Sequence, residues 1–457
     1  ARGQLVEVRA ADLRFSVDEV AAFLARFAGL ESLAGQASLS QRLADSTEGW
    51  AAGLQLSALA LRGELSLGNR DQAQVLERFV DGLGGSHRYI LDYLLDEVLS
   101  RESERVREFL LRTCLLERFN ADLCAALCSE ETDAASAQSL LEGLERTNLF
   151  IVPLDSQREW FRFHHLFADV LQKQLLHNHA GLAPELHRRA TDWFERHGMI
   201  EEAISHAQRA GDPSLLQKMA EKYVLATILR GQIATANRWL DGLPSGMLLS
   251  SPRLCLDRAW ALTFTSQTES AVPYLQRAET SAHENPEIRA EILGLQSYGK
   301  SVYGLTEEAV QLATLALETS PRDHSFLQCI NHLFFASALV RDGKLDEALQ
   351  EYHSIRVTCQ NQQPLAGFAL LEADFLQYAA VYMNARNQSR QAKELLKDAI
   401  RSFENAEGNR GAAALYLYVG LGTILFIEND LTEAERALEK GCNWTHFYTR
   451  WRPLTAG

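Results

Sequence analysis

A short pattern that recurs seven times in the C-terminal part of the chain constrains its fold more than any other feature. Each copy places a small or helix-ending residue (Gly, Ser or Asn) five positions before an alanine. Gly and Asn end helices in the left-handed conformation, and alanine lets two helices approach closely. Successive copies are 33 to 44 residues apart, the length of a helix pair. The copies are Gly198/Ala203, Gly231/Ala236, Ser266/Ala271, Gly304/Ala309, Gly343/Ala348, Asn387/Ala392 and Asn429/Ala434.

Two further features support helix pairs. Acidic residues follow several of the turns, where they face the positive end of the next helix dipole. The pattern Gly-x4-Ala-x6-Ala, which adds a second alanine, resembles the tetratricopeptide repeat. The seven tandem copies and their spacing predict an α-solenoid over residues 183–457, with at least seven stacked pairs, more than about 70% helix and no strand after residue 190. The second alanines are Ala210, Ala278, Ala316 and Ala399.

The part of the chain before the repeats has a different organisation, which is also mainly helical. Ser16 and Glu19 have the spacing of a capping box and predict the start of a helix. Residues 39–61 are rich in Ala and Leu and predict a helix with Gly49 and Gly53 inside it. Residues 87–128 predict at least two more amphipathic helices.

Strand-like patterns are few. Residues 5–8 form one short run, and residues 149–154 and 159–163 flank a polar loop as in a β-hairpin. A helix from His165 to about residue 176 follows the hairpin directly. Helices, a hairpin and a further helix suggest a winged-helix unit. The sequence therefore predicts a mainly α chain, in which a helical domain and a winged helix precede the α-solenoid.

Charge and cysteine content exclude several classes of protein. The net charge is −15, and both sides of residue 180 are acidic, whereas a duplex-binding surface needs a concentrated basic face. The seven cysteines are scattered and odd in number, so we expect reduced thiols in a cytosolic protein. The longest uncharged run, residues 411–427, is shorter than the roughly 20 residues that span a bilayer. We therefore expect a buried repeat helix there, and no membrane contact.

One motif imitates a nucleotide-binding loop. Residues 294–301 satisfy the phosphate-loop pattern Gly-x4-Gly-Lys-Ser, which requires a buried strand before it and a helix that begins at Lys-Ser. The preceding residues 286–293 are charged and have a helical period, and the turn at Gly304 follows only three residues after Ser301. We interpret the motif as part of a repeat helix that binds no nucleotide.

The sequence offers no positive sign of catalysis or of a metal site. Cys124 and Cys128 are four residues apart with Cys114 nearby, but no second close pair of Cys or His completes four ligands. Buried thiols are the better interpretation. No catalytic set of residues follows from spacing alone, so we predict that this chain is not an enzyme.

Several segments before residue 180 resemble one protein family, and they occur in the family's order. They are similar to the large ATP-dependent LuxR-type transcriptional regulators, of which the activator of the maltose regulon is the best-known member. This family belongs to the signal-transduction ATPases with numerous domains, or STAND proteins. The segments are residues 2–7, 12–16, 47–56, 88–98, 109–113, 148–154 and 161–167.

The resemblance implies a domain map. The family order is an ATPase core, a helical lid, a winged helix, a repeat-built sensor and a C-terminal DNA-binding helix-turn-helix. By that map, residues 1–75 end the core and form the lid, residues 76–182 form the winged helix, and residues 183–457 form the sensor. The chain would then be a central and sensor fragment of a bacterial cytoplasmic regulator. ATP or ADP would bind only the full-length protein, and DNA only the missing C-terminal domain.

The resemblance also suggests site residues. In related switch ATPases, a winged-helix histidine at the start of a helix contacts the β-phosphate of ADP and holds the closed state. His164 lies at that position, although His165 stands where the family has an acid. Gly49 and Trp50 resemble the lid motif near the nucleotide base. The alternative for His164 is a structural residue that covers the hairpin.

For function, the resemblance implies a regulator that responds to a small-molecule inducer and self-associates on activation. The inducer would bind the concave face of the solenoid, where two or three aromatic residues of the first helices would contact it. The alternative is a tetratricopeptide-like scaffold that binds proteins or peptides without a nucleotide switch. The aromatic residues of the first helices are Trp260, Phe264, Tyr298, Phe334, Phe335, Tyr378, Tyr382, Tyr416 and Tyr418.

Overall fold

The structure is a computed structural model that describes most of the chain and divides it into two units, residues 1–212 and residues 213–457. The predicted strand at residues 5–8 lies outside the described residues. The described ranges are 14–27, 37–58 without 52 and 56, 99–128, 132–147, 150–265, 267–280, 285–322, 325–359, 369–404 and 411–446.

The first unit begins with helices α1 (Val17–Phe27) and α2 (Ala37–Thr47), which pack against each other. The predicted capping box is present at the start of α1. The Ser16 amide donates to the Glu19 carboxylate at 2.8 Å, and the Glu19 amide donates to the Ser16 hydroxyl at 3.3 Å. These bonds satisfy two amides that a helix start otherwise leaves unpaired.

The predicted helix over residues 39–61 is wrong in one respect, because the chain turns sharply after Thr47. Glu48 and Gly49 have φ angles of +48° and +68°, both in the left-handed region that ends helices. Helical backbone resumes at residue 51. The Ala- and Leu-rich composition predicts the helical segments but not this break, at which Gly49 contacts the distant backbone of Phe15.

The rest of the first unit contains the predicted hairpin. After a 3-10 turn (Leu99–Arg101) come α3 (Glu104–Thr113), α4 (Ala121–Leu127) and α5 (Ala134–Arg146). Strands β1 (Ile151–Pro153) and β2 (Phe161–Phe163) then pair antiparallel, and α6 (His165–Asn178) follows directly.

Phe119 extends the hairpin and anchors its core. It exchanges two backbone hydrogen bonds of 2.8 Å with Phe161, so a third chain segment lies beside β2. Phe119, Phe161 and Phe167 are fully buried. Helices, a small sheet and a following helix share one core, as the winged-helix prediction requires.

From residue 182 onward, the described chain is a series of helix pairs. One pair, α7 (Leu182–Arg196) and α8 (Ile200–Arg209), belongs to the first unit. The second unit contains the other helices, and its described residues include no strand. These helices are α9 (Pro213–Leu229), α10 (Ile233–Asp241), α11 (Ser245–Ser250), α12 (Pro252–Phe264), α13 (Thr268–Glu279), α14 (Pro286–Val302), α15 (Thr306–Thr319), α16 (Ser325–Arg341), α17 (Leu345–Cys359), α18 (Ala369–Ala385), α19 (Ser389–Glu404), α20 (Gly411–Ile427) and α21 (Leu431–His446).

The repeat pattern has the predicted structural meaning. All six described turn residues adopt positive φ, including the two asparagines, Asn387 at +63° and Asn429 at +64°. The first alanines of all seven copies are at most 3% exposed, so each allows the close approach of its helix pair. Of the second alanines, Ala210, Ala278 and Ala316 are buried, and Ala399 is half-buried.

In the second unit, the first helices of successive pairs pack on one another, α14 on α16, α16 on α18 and α18 on α20. Aromatic rings fill this contact, with the centroid of Phe334 5.5 Å from that of Trp260 and 5.6 Å from that of Tyr298. These three aromatic residues of the first helices therefore form part of the core of the solenoid. The predicted mainly α architecture, a winged helix followed by a tetratricopeptide-like solenoid, is confirmed.

The cysteine prediction holds in part. Cys114, Cys124, Cys128 and Cys255 are free and buried. Cys329 is disulfide-bonded, so the expectation of seven reduced thiols is wrong. Spacing along the chain does not reveal which cysteines the fold brings within the few ångströms that a disulfide needs.

None of the described helices combines the length and the apolar composition that crossing a bilayer requires.

Candidate functional site

The candidate site is built on the turn that follows α2. The Gly49 amide donates to the Ala44 carbonyl at 3.1 Å, which closes the helix end. The Gly49 carbonyl in turn accepts a 2.8 Å hydrogen bond from the Phe15 amide. A Cβ atom on residue 49 would lie 2.5 Å from the Phe15 carbonyl oxygen, so only glycine fits this approach.

This turn directs the Glu48 side chain at the hairpin. Both carboxylate oxygens of Glu48 accept hydrogen bonds of 2.8 Å from the Arg162 guanidinium on β2. His165 Nδ1, at the start of α6, lies 2.9 Å from the same carboxylate. Arg14 adds a longer ion pair at 3.6 Å. Glu48 therefore ties the end of α2 to both the sheet and the following helix.

The protonation states of this cluster follow from its contacts. Burial disfavours the ionised form of Glu48, but the hydrogen bonds from His165 and Arg162 outweigh it and hold the pKa of Glu48 well below its usual value. Burial also disfavours the charged form of His165, yet its hydrogen bond to Glu48 raises the pKa of His165 overall. The other ring nitrogen, Nε2, contacts the Ser46 carbonyl, which only accepts. Both ring nitrogens of His165 therefore donate, as in an imidazolium ion.

His164 is in the opposite state. It is 6% exposed, and burial lowers its pKa to about 4, so it is neutral near pH 7. Its Nε2 lies 3.0 Å from the Thr47 carbonyl oxygen and must donate to it. The second nitrogen, Nδ1, is then an acceptor, and it is buried with no hydrogen-bond partner. A buried orphan of this kind costs about 1–3 kcal/mol.

The sequence-predicted site residues lie together around His164. The Trp50 ring contacts that of His164 edge to face, with centroids 6.1 Å apart, and that of Phe150 at 4.9 Å. Phe150, which has a φ of +52°, stacks on Phe167 of α6. Gly49, Trp50 and His164 thus meet although more than 100 residues separate the first two from the third.

The sequence did not predict the charged members of the cluster, Glu48 and Arg162. Alternation along β2 offers a signal, because Phe161 and Phe163 are buried and Arg162 between them faces the other side. Nothing in the sequence shows which carboxylate Arg162 meets.

Glu48, His164 and His165 are close enough together to hold a metal ion, but Glu48 and His165 have no free lone pairs to offer it. One ligand atom each from Glu48, His164 and His165 lies within 4.8 Å of the others. Arg162 already occupies both oxygens of Glu48, and both nitrogens of His165 donate protons. Metal ligands must present lone pairs. The arrangement therefore suits an ion-pair cluster, and the absence of a bound metal stays a prediction.

The phosphate-loop motif at residues 294–301 lies inside α14. A Cβ atom on Gly294 would lie 2.1 Å from Asn331 Oδ1, so this glycine permits close packing against α16. The Lys300 ammonium pairs with Glu308 at 2.7 Å. The backbone amides of the motif are part of the helix and cannot form the phosphate cradle that the pattern requires. That this segment binds no nucleotide stays a prediction.

The cysteines near the winged helix are unsuited to metal binding as they stand. Burial raises the pKa of Cys114 to about 12 and that of Cys128 to about 11. Cys124 is fully buried, and burial raises its pKa well above the usual value. Thiols in this state are inert, because the thiolate is both the nucleophile and the ligand.

Comparison with known proteins supports the fold and the resemblance. Residues 95–183 match the family model of the MalT winged helix domain. The HTH-type transcriptional regulator MalT of Yersinia pestis is 30% identical over 448 residues, which cover 96% of this chain and 47% of the relative. MalT of Klebsiella pneumoniae is 31% identical over 350 residues, 76% of this chain and 37% of the relative.

Two further proteins are similar over smaller shares or at low identity. The serine/threonine-protein kinase PknK of Mycobacterium tuberculosis is 35% identical over 278 residues, 61% of this chain and 24% of the kinase. A solved STAND protein with a tetratricopeptide repeat sensor from Pyrococcus horikoshii has 13% identity and a TM-score of 0.41, with 95% of this chain and 73% of that protein covered.

The chain spans less than half the length of these curated relatives. The predicted resemblance to this family is nevertheless confirmed. The chain is MalT-like along almost its whole length, and its residues 95–183 match the MalT winged helix domain.

Proposed function

We propose that this chain is the central and sensor portion of an ATP-dependent, LuxR-type transcriptional activator. In this proposal, residues 1–182 couple a nucleotide switch to the repeats, and the repeats sense a small-molecule inducer. The ATPase core and the DNA-binding helix-turn-helix would lie outside these 457 residues. The chain itself would hydrolyse nothing, and ADP or ATP would bind the full-length protein.

The observation that carries the proposal is the state of His164. Its Nδ1 is a buried orphan beside Trp50 and the Gly49 turn, where the resemblance places a nucleotide contact. A neutral imidazole with an unprotonated Nδ1 does not donate to phosphate. A phosphate dianion close to the ring would raise the pKa of His164, because opposite charge favours the protonated form. The protonated Nδ1 would then donate a hydrogen bond to the phosphate, and the ring would no longer contain a buried nitrogen without a partner.

The neighbouring ion cluster supplies the rigidity that such a contact needs. His164 and His165 are consecutive residues with stacked rings 4.9 Å apart. Since His165 is held by Glu48, and Glu48 by Arg162, a change at the nucleotide would move the hairpin and α6 together. We therefore propose that the winged helix transmits the nucleotide state, and that activation proceeds through exchange of ADP for ATP and self-association on DNA.

The test is the release of bound ADP from the full-length protein carrying His164→Ala. Loss of one charge-assisted hydrogen bond, about 1.5–3 kcal/mol, corresponds to roughly ten- to hundredfold weaker ADP binding. We expect faster ADP release and more transcription without inducer. Phe163→Leu, which changes a buried neighbour without a polar group, serves as the control.

Unchanged ADP release and basal transcription in His164→Ala would contradict the switch role. That result would favour the alternative of a scaffold that binds proteins or peptides without nucleotide switching, with His164 as a structural residue over the hairpin.

A further inference from the structure

A groove lies in the second unit between the second helices of two successive pairs, α13 and α15. The C-terminal half of α14 forms its floor through Leu295, Gln296 and Gly299, and the volume is about 780 Å³. None of the aromatic residues proposed for the inducer site lines this groove.

The walls of the groove expose apolar side chains. Val272 on α13 is 45% exposed and Leu315 on α15 is 41% exposed. Tyr303 and Leu305, in the turn between α14 and α15, are 57% and 45% exposed. All four line the same groove, with the more buried Leu275 and Leu312 between them. Single exposed apolar residues are ordinary, but a contiguous set in a concavity marks an interaction site.

The charges around this groove are one-sided. Three carboxylates line it, those of Glu269, Glu279 and Glu308, against a single cationic side chain, Lys300. Lys300 is already paired with Glu308 at 2.7 Å. Glu269 and Glu279 form no ion pair with any residue in the described part of the chain. The groove therefore carries two uncompensated negative charges beside its exposed apolar side chains.

The spacing of these features matches a helix. On α13, the residues that line the groove include Glu269, Val272, Gln276 and Glu279, a stripe of one helix face. Ten residues of helix separate Glu269 from Glu279, a distance of about 15 Å. One small charged ligand does not bridge two carboxylates so far apart. An amphipathic helix with basic flanks covers both carboxylates and buries its apolar face in the groove.

We propose that this groove binds a basic amphipathic helix of a partner protein. The partner's apolar residues would contact Val272 and Leu315, and its lysines or arginines would pair with Glu269 and Glu279. This interaction surface goes beyond the proposed nucleotide and inducer functions and does not depend on them.

The test uses model peptides and the chain as it stands. The probe is a fluorescein-labelled peptide long enough for about four helical turns, composed of leucine and lysine with the leucines at i, i+3, i+4 and i+7. Two reference peptides have the same leucine pattern with glutamate for lysine, and the same composition in scrambled order. We expect saturable binding in fluorescence anisotropy for the patterned lysine peptide only.

Variants of the chain locate the binding. We expect Glu269→Lys/Glu279→Lys to weaken the affinity about tenfold, since each exposed ion pair contributes only a few-fold. Val272→Ser/Leu315→Ser should also weaken it, and both side chains are exposed enough to change without loss of the fold. Asp192→Lys/Glu435→Lys makes the same change in net charge at exposed sites outside the groove and should alter the affinity less than about twofold.

Far-UV circular dichroism confirms that each variant is folded. Equal binding of the scrambled lysine peptide would overturn the proposal. The proposal would also be overturned if Glu269→Lys/Glu279→Lys weakened the peptide affinity no more than Asp192→Lys/Glu435→Lys does. Either result would mean that the acidic chain attracts cationic peptides without a defined site.

Discussion

The ion cluster at Glu48 makes a prediction about stability that the substitution Glu48→Gln tests. The glutamine keeps the size of the side chain and removes its charge. Arg162 and His165 then lose the carboxylate that both now share, at side-chain exposures of 32% and 39%. Breaking a fully buried ion pair costs about 3–5 kcal/mol, and an exposed pair about 0–1 kcal/mol. Because these partners are partly exposed, we expect an intermediate loss of about 2 kcal/mol.

The loss should also depend on pH, and the directions of the two pKa shifts give its sign. The pKa of Glu48 is lowered in the fold, so its contribution is present above the usual value of 4.5 and disappears as the pH falls below it. The pKa of His165 is raised, so its contribution is complete below the usual value of 6.5 and disappears as the pH rises through the folded value. The difference between wild type and variant should therefore be largest between about pH 5 and pH 6.5.

Urea unfolding followed by tryptophan fluorescence measures this difference, because Trp50 lies beside the cluster. Glu117→Gln is the matched control, since Glu117 forms an exposed ion pair with Arg209 at 3.2 Å in the same unit. Its expected effect is below about 0.5 kcal/mol at every pH. A loss in Glu48→Gln no larger than in this control, or one that does not vary between pH 4 and pH 8, would refute the assignment of charges in the cluster.

Two further predictions concern glycine positions and the phosphate-loop motif. Gly343 lies at a repeat turn with a φ of +83°, so Gly343→Ala should destabilise the chain by about 1–2 kcal/mol. Gly143 lies inside α5 with open space around it, so Gly143→Ala should stabilise the chain by about 0.5–1 kcal/mol. Urea unfolding measures both changes, and equal effects of the two substitutions would contradict the role of the repeat turns. Isothermal calorimetry with ATP and Mg²⁺ should give no binding heat above dilution for wild type or Lys300→Ala; a micromolar affinity lost in the variant would show that residues 294–301 bind nucleotide after all.

The parts of the fold that depend on local chemistry were predictable from the sequence. A Gly or Asn followed by an alanine five positions on determines a helix end and a close contact between elements that are adjacent in the chain. The six described turns accordingly adopt positive φ, and the alanines are buried. The capping box at Ser16 is predictable for the same reason. Repetition strengthens the prediction, because several copies must all fit one stacking geometry.

The features of the fold that the sequence did not predict depend on contacts between distant residues. Residues 39–61 have the composition of a helix, and the break at Gly49 is needed because the backbone of Phe15 approaches within hydrogen-bond distance. No local pattern records that approach. The disulfide of Cys329 and the pairing of Glu48 with Arg162 are likewise properties of the folded chain, and spacing in the sequence says nothing about them.

The residue after His164 departs from the expected family pattern, and its contacts explain how. The resemblance led us to expect an acid there, and the chain has a second histidine, His165. The structure supplies a carboxylate from another element, because Glu48 Oε1 lies 2.9 Å from His165 Nδ1. Protonated His165 and Arg162 both bind Glu48, and these three side chains together carry one net positive charge, whereas an acid in place of His165 would give them one net negative charge. The ring of His164, whose pKa is lowered mainly by burial, therefore lies beside a cluster with a net positive charge, and such a cluster favours an anion nearby. If the proposed switch is correct, replacing His165 by aspartate should weaken ADP retention in the full-length protein, even though it restores the residue type that the family pattern leads one to expect.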